Sequence, residues 1–338
     1  MKVLGIETSC DECSAAVVED GEKIVSNVIA TQIPFHAPWS GVVPEIASRK
    51  HTEWIYTVVK EALEKAELGV KDIDAVAVTN RPGLSGSLLV GLSFAKAFAW
   101  ALNIPFIAID HMLAHLYAPR LVPDNKPEYP FLGLLVSGGH TIICRADNFD
   151  DITVLGTTID DAAGEAFDKV AKFYNFGYPG GKAIDDMSRN GDSEAFRFPL
   201  PSLHKGDHRY DVSYSGLKTA VINQLEMFRV KKDFTNEDIA ASFRKAAVEI
   251  LLRALLNAAQ DTGLCTIVAG GGVAANSLLR SRLAEQERLS CIFPPLDLCG
   301  DNGAMIAGIG YHYLVRGERS PLNTAVCARV TGFKKKYP

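Results

Sequence analysis

The sequence predicts an α/β protein of two related lobes, each with a mixed, mostly parallel sheet, around a central cleft. Three observations carry this. A strand–turn–strand unit at the start of the chain returns near residue 131. Strands then alternate with helices after each copy, the pattern of parallel sheets covered on both faces. Glycine-rich loops follow strands in both halves.

The first copy opens with Val3-Leu4-Gly5-Ile6, a polar turn from Glu7 to Glu12, a return strand Ala15-Ala16-Val17-Val18 and the turn signal Asp20-Gly21. Ile55, Val58, Val59, Ala62, Leu63 and Ala66 then mark one face of a helix. Strand Ala75-Val76-Ala77-Val78, loop Asn80-Arg81-Pro82-Gly83, an apolar helix to Leu102, strand 105–109 and a helix beginning at Asp110-His111 complete it. The second copy has strand 131–136, turn Ser137-Gly138-Gly139-His140 and strand Thr141-Ile142-Ile143-Cys144. Thr235 with Asp238 then opens a helix in capping-box fashion. Strand Thr266-Ile267-Val268-Ala269, loop Gly270-Gly271-Gly272, a helix from Asn276, strand Cys291-Ile292-Phe293 and a helix starting at Asp301-Asn302 follow. This doubled order describes the actin-like ATPase (ASKHA) fold of sugar kinases, Hsp70 and actin. Residues 1–110 with 300–330 are expected to form the first lobe and 111–299 the second, with an insertion at about 150–234 that shapes the substrate site.

Composition narrows the class. The 338 residues are 47% hydrophobic and 22% charged, with a net charge of -5, so no global basic field exists and nucleic-acid contact needs a local patch. Seven scattered cysteines read as reduced thiols of a cytoplasmic protein. The apolar start meets Glu7 at once, unlike a secretion signal. The lipid-like run 84–95 meets Lys96 and then Pro105, short of the roughly 20 residues a spanning helix needs.

His111 and His115 stand at i and i+4 on a helix, where both imidazoles can share one cation. Two surface histidines would show the same spacing. The repeat favours the ligand reading, because the corresponding second-copy helix begins with Asp301 and the pseudo-twofold would set that carboxylate across the cleft. Two histidines and a carboxylate with open positions suit Zn²⁺ or Fe²⁺ in a catalytic rather than structural role.

Ser137-Gly138-Gly139-His140, Pro179-Gly180-Gly181-Lys182 with Asp185, and Gly270-Gly271-Gly272 leading to Asn276 offer backbone N–H groups suited to a phosphate or ribose. Tight turns also want glycine, but three such loops around one cleft favour a nucleotide. Asp160 and Asp161 read as solvated charges at a helix N-terminus, whereas Asp168 shares a face with Glu165 and could reach a ligand. Cys10 and Cys13 have C-x-x-C spacing without a helix start or nearby cations, and read as ordinary thiols. The run Lys334-Lys335-Lys336 reads as a solvated terminus.

Gly5-Ile6-Glu7-Thr8-Ser9-Cys10-Asp11-Glu12, Gly41-Val42-Val43-Pro44-Glu45, Ser137-Gly138-Gly139-His140-Thr141, residues 160–169, Tyr214-Ser215-Gly216-Leu217-Lys218-Thr219, Gly271-Gly272-Val273-Ala274-Ala275-Asn276 and Asp301-Asn302 together resemble one family nearly end to end. It is the bacterial tRNA N6-adenosine threonylcarbamoyltransferases, once described as O-sialoglycoprotein endopeptidases. The resemblance implies transfer of threonylcarbamoyl from threonylcarbamoyl-adenylate to N6 of the adenosine 3′ of the anticodon, in tRNAs reading codons that begin with A. It implies one divalent ion per subunit, Fe²⁺ or alternatively Zn²⁺, on His111, His115 and Asp301. It implies adenylate binding by Leu135, Val136, Ser137, Gly138, Gly139, Asp168, Gly181, Asp185 and Asn276. It also implies a cytoplasmic location, a smaller homologous partner of the same fold (TsaB) and a P-loop ATPase (TsaE), with no membrane. Cys13 stands where the family usually has Thr, and Leu113 where an acidic residue is common.

AMP is a good leaving group and the adenine amine a poor nucleophile, so the chemistry asks for positioning and an electrophilic carbonyl. Glu12 and Asp168 are the candidate bases, on position. A metallopeptidase of the H-E-x-x-H type would need Glu where Met112 stands. A small-molecule kinase of the same fold has no evident use for the histidine pair, and a nucleotide-gated binding module could dispense with the metal ligands.

Overall fold

The computed structural model describes residues 1–123, 126–201, 203, 208–223 and 234–329, with the backbone of 334 and 335. Lys336 of the basic tail lies outside the described residues. The chain forms two compact units, Met1–Lys126 with Pro294–Gly332 and Pro127–Phe293 with Phe333–Pro338.

In the first unit, β1 (Lys2–Glu7), β2 (Glu12–Glu19) and β3 (Lys23–Thr31) form an antiparallel meander. A short helix α1 (Ile33–His36) and the long α2 (Pro44–Lys65) lead to β4 (Ala75–Arg81), which pairs in parallel with β1. Helix α3 (Ser85–Leu102) and β5 (Phe106–Asp110) complete a sheet of order β3-β2-β1-β4-β5. The pleat sends alternate side chains to opposite faces. Leu4 and Ile6 therefore join a core with Ile55, Val59 and Ala62 of α2 and Leu92 and Ala95 of α3. Gly5 points the other way, onto the helix Gly303–Val315, where a Cβ would stand 2.1 Å from the Gly303 carbonyl oxygen. Only glycine allows that approach, which sets the depth at which this helix lies on the sheet.

Helix α3 has the length and mean hydropathy, 1.3, of a possible membrane span. Its face of Leu88, Gly91, Leu92, Ala95 and Ala99 is nevertheless buried within the unit, and Lys96 donates to the Thr324 carbonyl. Helix α4 (His111–Tyr117) begins directly after β5, with Asp110 as its cap: Oδ1 accepts the Met112 amide at 2.9 Å while Oδ2 pairs with Arg81 at 3.0 Å.

The second unit carries the meander β6 (Phe131–Val136), β7 (Thr141–Ala146) and β8 (Ile152–Thr157). Helices α5 (Ala163–Tyr174), α6 (Gly180–Met187), α7 (Ser215–Asn223) and α8 (Asn236–Thr262) follow, then β9 (Thr266–Gly270), α9 (Ser277–Ala284) and β10 (Ser290–Ile292). The strand order is β10-β9-β6-β7-β8-β11, with β11 at Lys334–Lys335. Thr235 caps α8 through its hydroxyl on the Asp238 amide, as the capping box predicts. Phe243, Ala247 and Leu251 of α8 pack with Leu132, Leu134 and Phe167. The chain then returns to the first unit with α10 (Leu296–Cys299) and α11 (Gly303–Val315).

The doubled order of elements is present, with two differences. Each hairpin gains a third strand, β3 or β8, absent from the sequence reading. β3 mixes buried, half-buried and exposed residues without regular alternation, so no period-2 signal marks it. Residues 111–123 and 294–299, assigned from the sequence to the second lobe, belong to the first unit, where α4 lies against α11.

Candidate metal centre and nucleotide-binding loops

Three donor atoms converge in the first unit. His115 Nε2 lies 3.1 Å from His111 Nε2 and 3.1 Å from Asp301 Oδ1, and His111 Nε2 lies 3.4 Å from the same oxygen. Ligands about 2.0–2.2 Å from one ion stand roughly 3.0–3.4 Å apart, so the spacing fits a shared divalent cation. The helical i, i+4 step sets the imidazoles edge to face, 83° apart in plane, and Asn302 caps α11 so that Asp301 immediately precedes the cap. Asp301 and the histidines do not come from different lobes, as the sequence reading expected. All three residues belong to one unit, brought together by α4 packing on α11.

The electrostatics follow from burial. Burial disfavours charge on Asp301, yet His111 and His115 hold its carboxyl well below the usual range. Burial pulls His111 down, but Asp301 and Glu7 outweigh it and raise the imidazole well above its ordinary value. His115, desolvated and beside His111, is lowered. His111 Nδ1 lies 2.9 Å from Glu7 Oε2, which leaves Nε2 as the ligating atom. Nδ1 of His115 is buried with no partner among the described residues.

Glu7 is the residue the sequence reading missed. It is fully buried and accepts from the Thr79 hydroxyl and the Ser9 amide as well as facing His111. A glutamate ending a run of buried strand residues, where an apolar side chain is expected, was the available signal. Glu12 opens β2, accepting the Thr31 hydroxyl at 3.4 Å. Burial, then Asp11 and Asp301, push its carboxyl well above the usual range. Burial raises the Cys10 thiol well above its ordinary value and Cys13 to about 12, which suits inert thiols.

The second unit gathers the remaining candidates into a closed ring of contacts. Leu135 and Val136 end β6, and Ser137, Gly138 and Gly139 turn into β7. The Ser137 carbonyl accepts the Gly164 amide at 3.1 Å, joining this turn to the start of α5. Asp168 on α5 accepts the Gly180 amide at 2.8 Å, so α6 starts beside it, with Gly181 next in line. Asp185 on α6 accepts from the Ser277 amide and hydroxyl at 3.2 and 3.0 Å. Asn276 caps α9, its Oδ1 taking the Leu278 and Leu279 amides at 3.1 Å. Gly271, at φ +92°, packs against the Val136 carbonyl and closes the ring. A Cβ at Gly138, Gly139 or Gly181 would meet nothing within 4 Å, so those backbones are open to a ligand.

Asp160 and Asp161 are not free helix-end charges. Asp160 accepts from the Ser213 hydroxyl, the Tyr214 amide at 2.8 Å and both the amide and hydroxyl of Ser215. Asp161 bridges Lys169 and Lys218. The two carboxylates anchor the insertion, a long-range role that local charge preference does not reveal.

The tRNA N6-adenosine threonylcarbamoyltransferase family model matches residues 23–308. A protein of that name from Treponema denticola is 67% identical over 338 residues, covering 99% of both chains. Another from Treponema pallidum is 56% identical over 337 residues, covering 99% of this chain and 95% of its own. Among solved structures, component A of the Acidaminococcus fermentans (R)-2-hydroxyglutaryl-CoA dehydratase superposes with a TM-score of 0.55 at 15% identity, covering 93% of this chain and 99% of that one. That likeness shows the actin-like fold alone. The chain belongs to the tRNA N6-adenosine threonylcarbamoyltransferase family.

Proposed function

We propose that the chain transfers the threonylcarbamoyl group of threonylcarbamoyl-adenylate to N6 of the adenosine 3′ of the anticodon, in tRNAs reading codons that begin with A, releasing AMP. The observation that carries the site assignment is the convergence of His111, His115 and Asp301 on one point. These residues would hold one divalent ion, Fe²⁺ or alternatively Zn²⁺, and two imidazoles with one carboxylate leave open positions for substrate. When bound, such an ion polarises a carbonyl oxygen as a Lewis acid.

The chain's own residues do the rest. Glu7 fixes the tautomer and ring orientation of His111. In the second unit, the open turn Ser137-Gly138-Gly139 offers backbone N–H groups to the adenylate phosphate, favouring the charge that gathers on departing AMP. Leu135 and Val136 set that turn from the end of β6. Asp168, Gly181, Asp185 and Asn276 hold the nucleoside, and Asn276, whose Oδ1 caps α9, offers its Nδ2 as the donor. Glu12, at the start of β2, is the proposed acceptor of the N6 proton, on its position. The proposed setting is the cytoplasm, with tRNA, a smaller homologous partner of the same fold and a P-loop ATPase.

The test incubates the full chain with labelled threonylcarbamoyl-adenylate and a tRNA transcript, with and without those partner proteins, and measures labelled nucleoside. His111→Ala with His115→Ala is expected to lose both bound metal and transfer. Full transfer by that variant would refute the site.

A further inference from the structure

Arg244 reaches Asp185 from the N-terminal third of α8. Its Nη1 lies 2.9 Å from Asp185 Oδ1, 3.3 Å from the Asp185 carbonyl oxygen and 3.2 Å from Ser277 Oγ. Both charged side chains are withdrawn from solvent, at 11% and 13% exposure. The same Oδ1 accepts the amide and hydroxyl of Ser277. Among the described residues Oδ2 has only a 3.3 Å contact with the Ser277 amide. One carboxylate oxygen is saturated and pinned, while the other keeps acceptor capacity.

The arginine is spent unevenly. Nε of Arg244 is buried with no partner among the described residues. An arginine serving the fold alone would be expected to use both edges of its planar fork on acceptors. This one directs a single nitrogen to three acceptors at one spot, between α6 and the start of α9.

We propose that Arg244 is a specificity-determining positioning residue, which pins Asp185 Oδ1 and Ser277 so that Oδ2 faces a ribose hydroxyl of the adenylate. This rests on the reading that Asp185 holds the nucleoside. A carboxylate oxygen can only accept, and the donors that the adenosine part of the adenylate offers are its ribose hydroxyls and its exocyclic amine. Acidic side chains in nucleotide sites commonly read the ribose. Arg244 does not stand out by spacing, because it meets Asp185 from 59 positions away in sequence.

Calorimetric titration of the full chain with AMP, 2′,3′-dideoxy-AMP and inosine monophosphate tests this, on wild type, Arg244→Met, Arg244→Lys, Asp185→Asn and the Met/Asn double variant. Wild type is expected to prefer AMP over the dideoxy nucleotide by about tenfold, the worth of one charge-assisted hydrogen bond. Arg244→Met should bring that ratio near unity while leaving the AMP-to-inosine-monophosphate ratio unchanged. Asp185→Asn should do the same, and the double variant should lose nothing further, as expected when one residue acts through the other. Arg244→Lys should restore part of the ratio, keeping charge without the fork. Thermal melting accompanies each variant, and if Arg244→Met does not fold, Arg244→Lys carries the comparison. Retained ribose discrimination, additive losses, or a shift in the inosine ratio instead would overturn the proposal and spare the reading of the site. No AMP binding by wild type would overturn both.

Discussion

Glu7 Oε2 lies 2.9 Å from Nδ1 of His111, at the point where β1 ends and α4 begins to carry the candidate metal ligands. Burial pushes the Glu7 carboxyl up, but the adjacent His111 and the Thr79 hydroxyl bring it below its ordinary value, so it is a carboxylate facing an imidazole N–H. This contact, made over 104 positions of sequence, decides which histidine nitrogen faces Asp301.

Glu7→Gln should therefore weaken metal binding without unfolding the protein. The amide keeps the shape and loses the charge that strengthens the imidazole as a ligand. Metal affinity is expected to fall about 10–100-fold, read by equilibrium dialysis with elemental analysis. An unchanged affinity would remove Glu7 from the centre.

Two glycines of the proposed nucleotide site should respond oppositely to alanine. Gly271 has φ +92° and would place a Cβ 2.4 Å from the Val136 carbonyl oxygen, so Gly271→Ala should lower stability by about 1–3 kcal/mol. Gly138 has open space where the methyl would go, so Gly138→Ala should melt like wild type and bind AMP more weakly. Thermal melts and AMP titrations of both variants check this, and a destabilised Gly138→Ala would contradict it.

His51 should make stability depend on pH. It is fully buried, faces the Cys10 carbonyl at 2.9 Å through Nε2, and has no partner for Nδ1 among the described residues. Burial holds its pKa below the ordinary 6.5. The unfolded chain therefore takes up a proton first, so the contribution of neutral His51 is full above about pH 6.5 and is lost as the pH falls towards the folded value. The stability advantage of wild type over His51→Gln, from denaturant unfolding, should shrink between about pH 7.5 and pH 5. A constant difference across that range would exclude the mechanism.

Asp160 should act as an anchor of the insertion. Asp160→Ala removes the acceptor of the Tyr214 and Ser215 amides and of two hydroxyls. The side chain is solvent-exposed, which discounts each bond, so the expected loss is about 1–2 kcal/mol. Amide exchange at Tyr214 and Ser215 should accelerate more than in α8. Unaltered protection would leave the anchoring to Asp161 and its lysines.

The chain's local pattern was enough to read the doubled order of strands and helices, the imidazole pair at His111 and His115, and the glycine loops, because each is written within a few residues by periodicity, capping or turn chemistry. Packing alone decided the rest. Asp301 meets His115 across 186 positions within one unit, and Glu7 completes the centre from the first strand. Arg244 finds Asp185 only because α8 runs beside α6. Contacts of that span depend on how helices seat on their sheets, down to the room that Gly5 leaves for Gly303, and no local spacing records it.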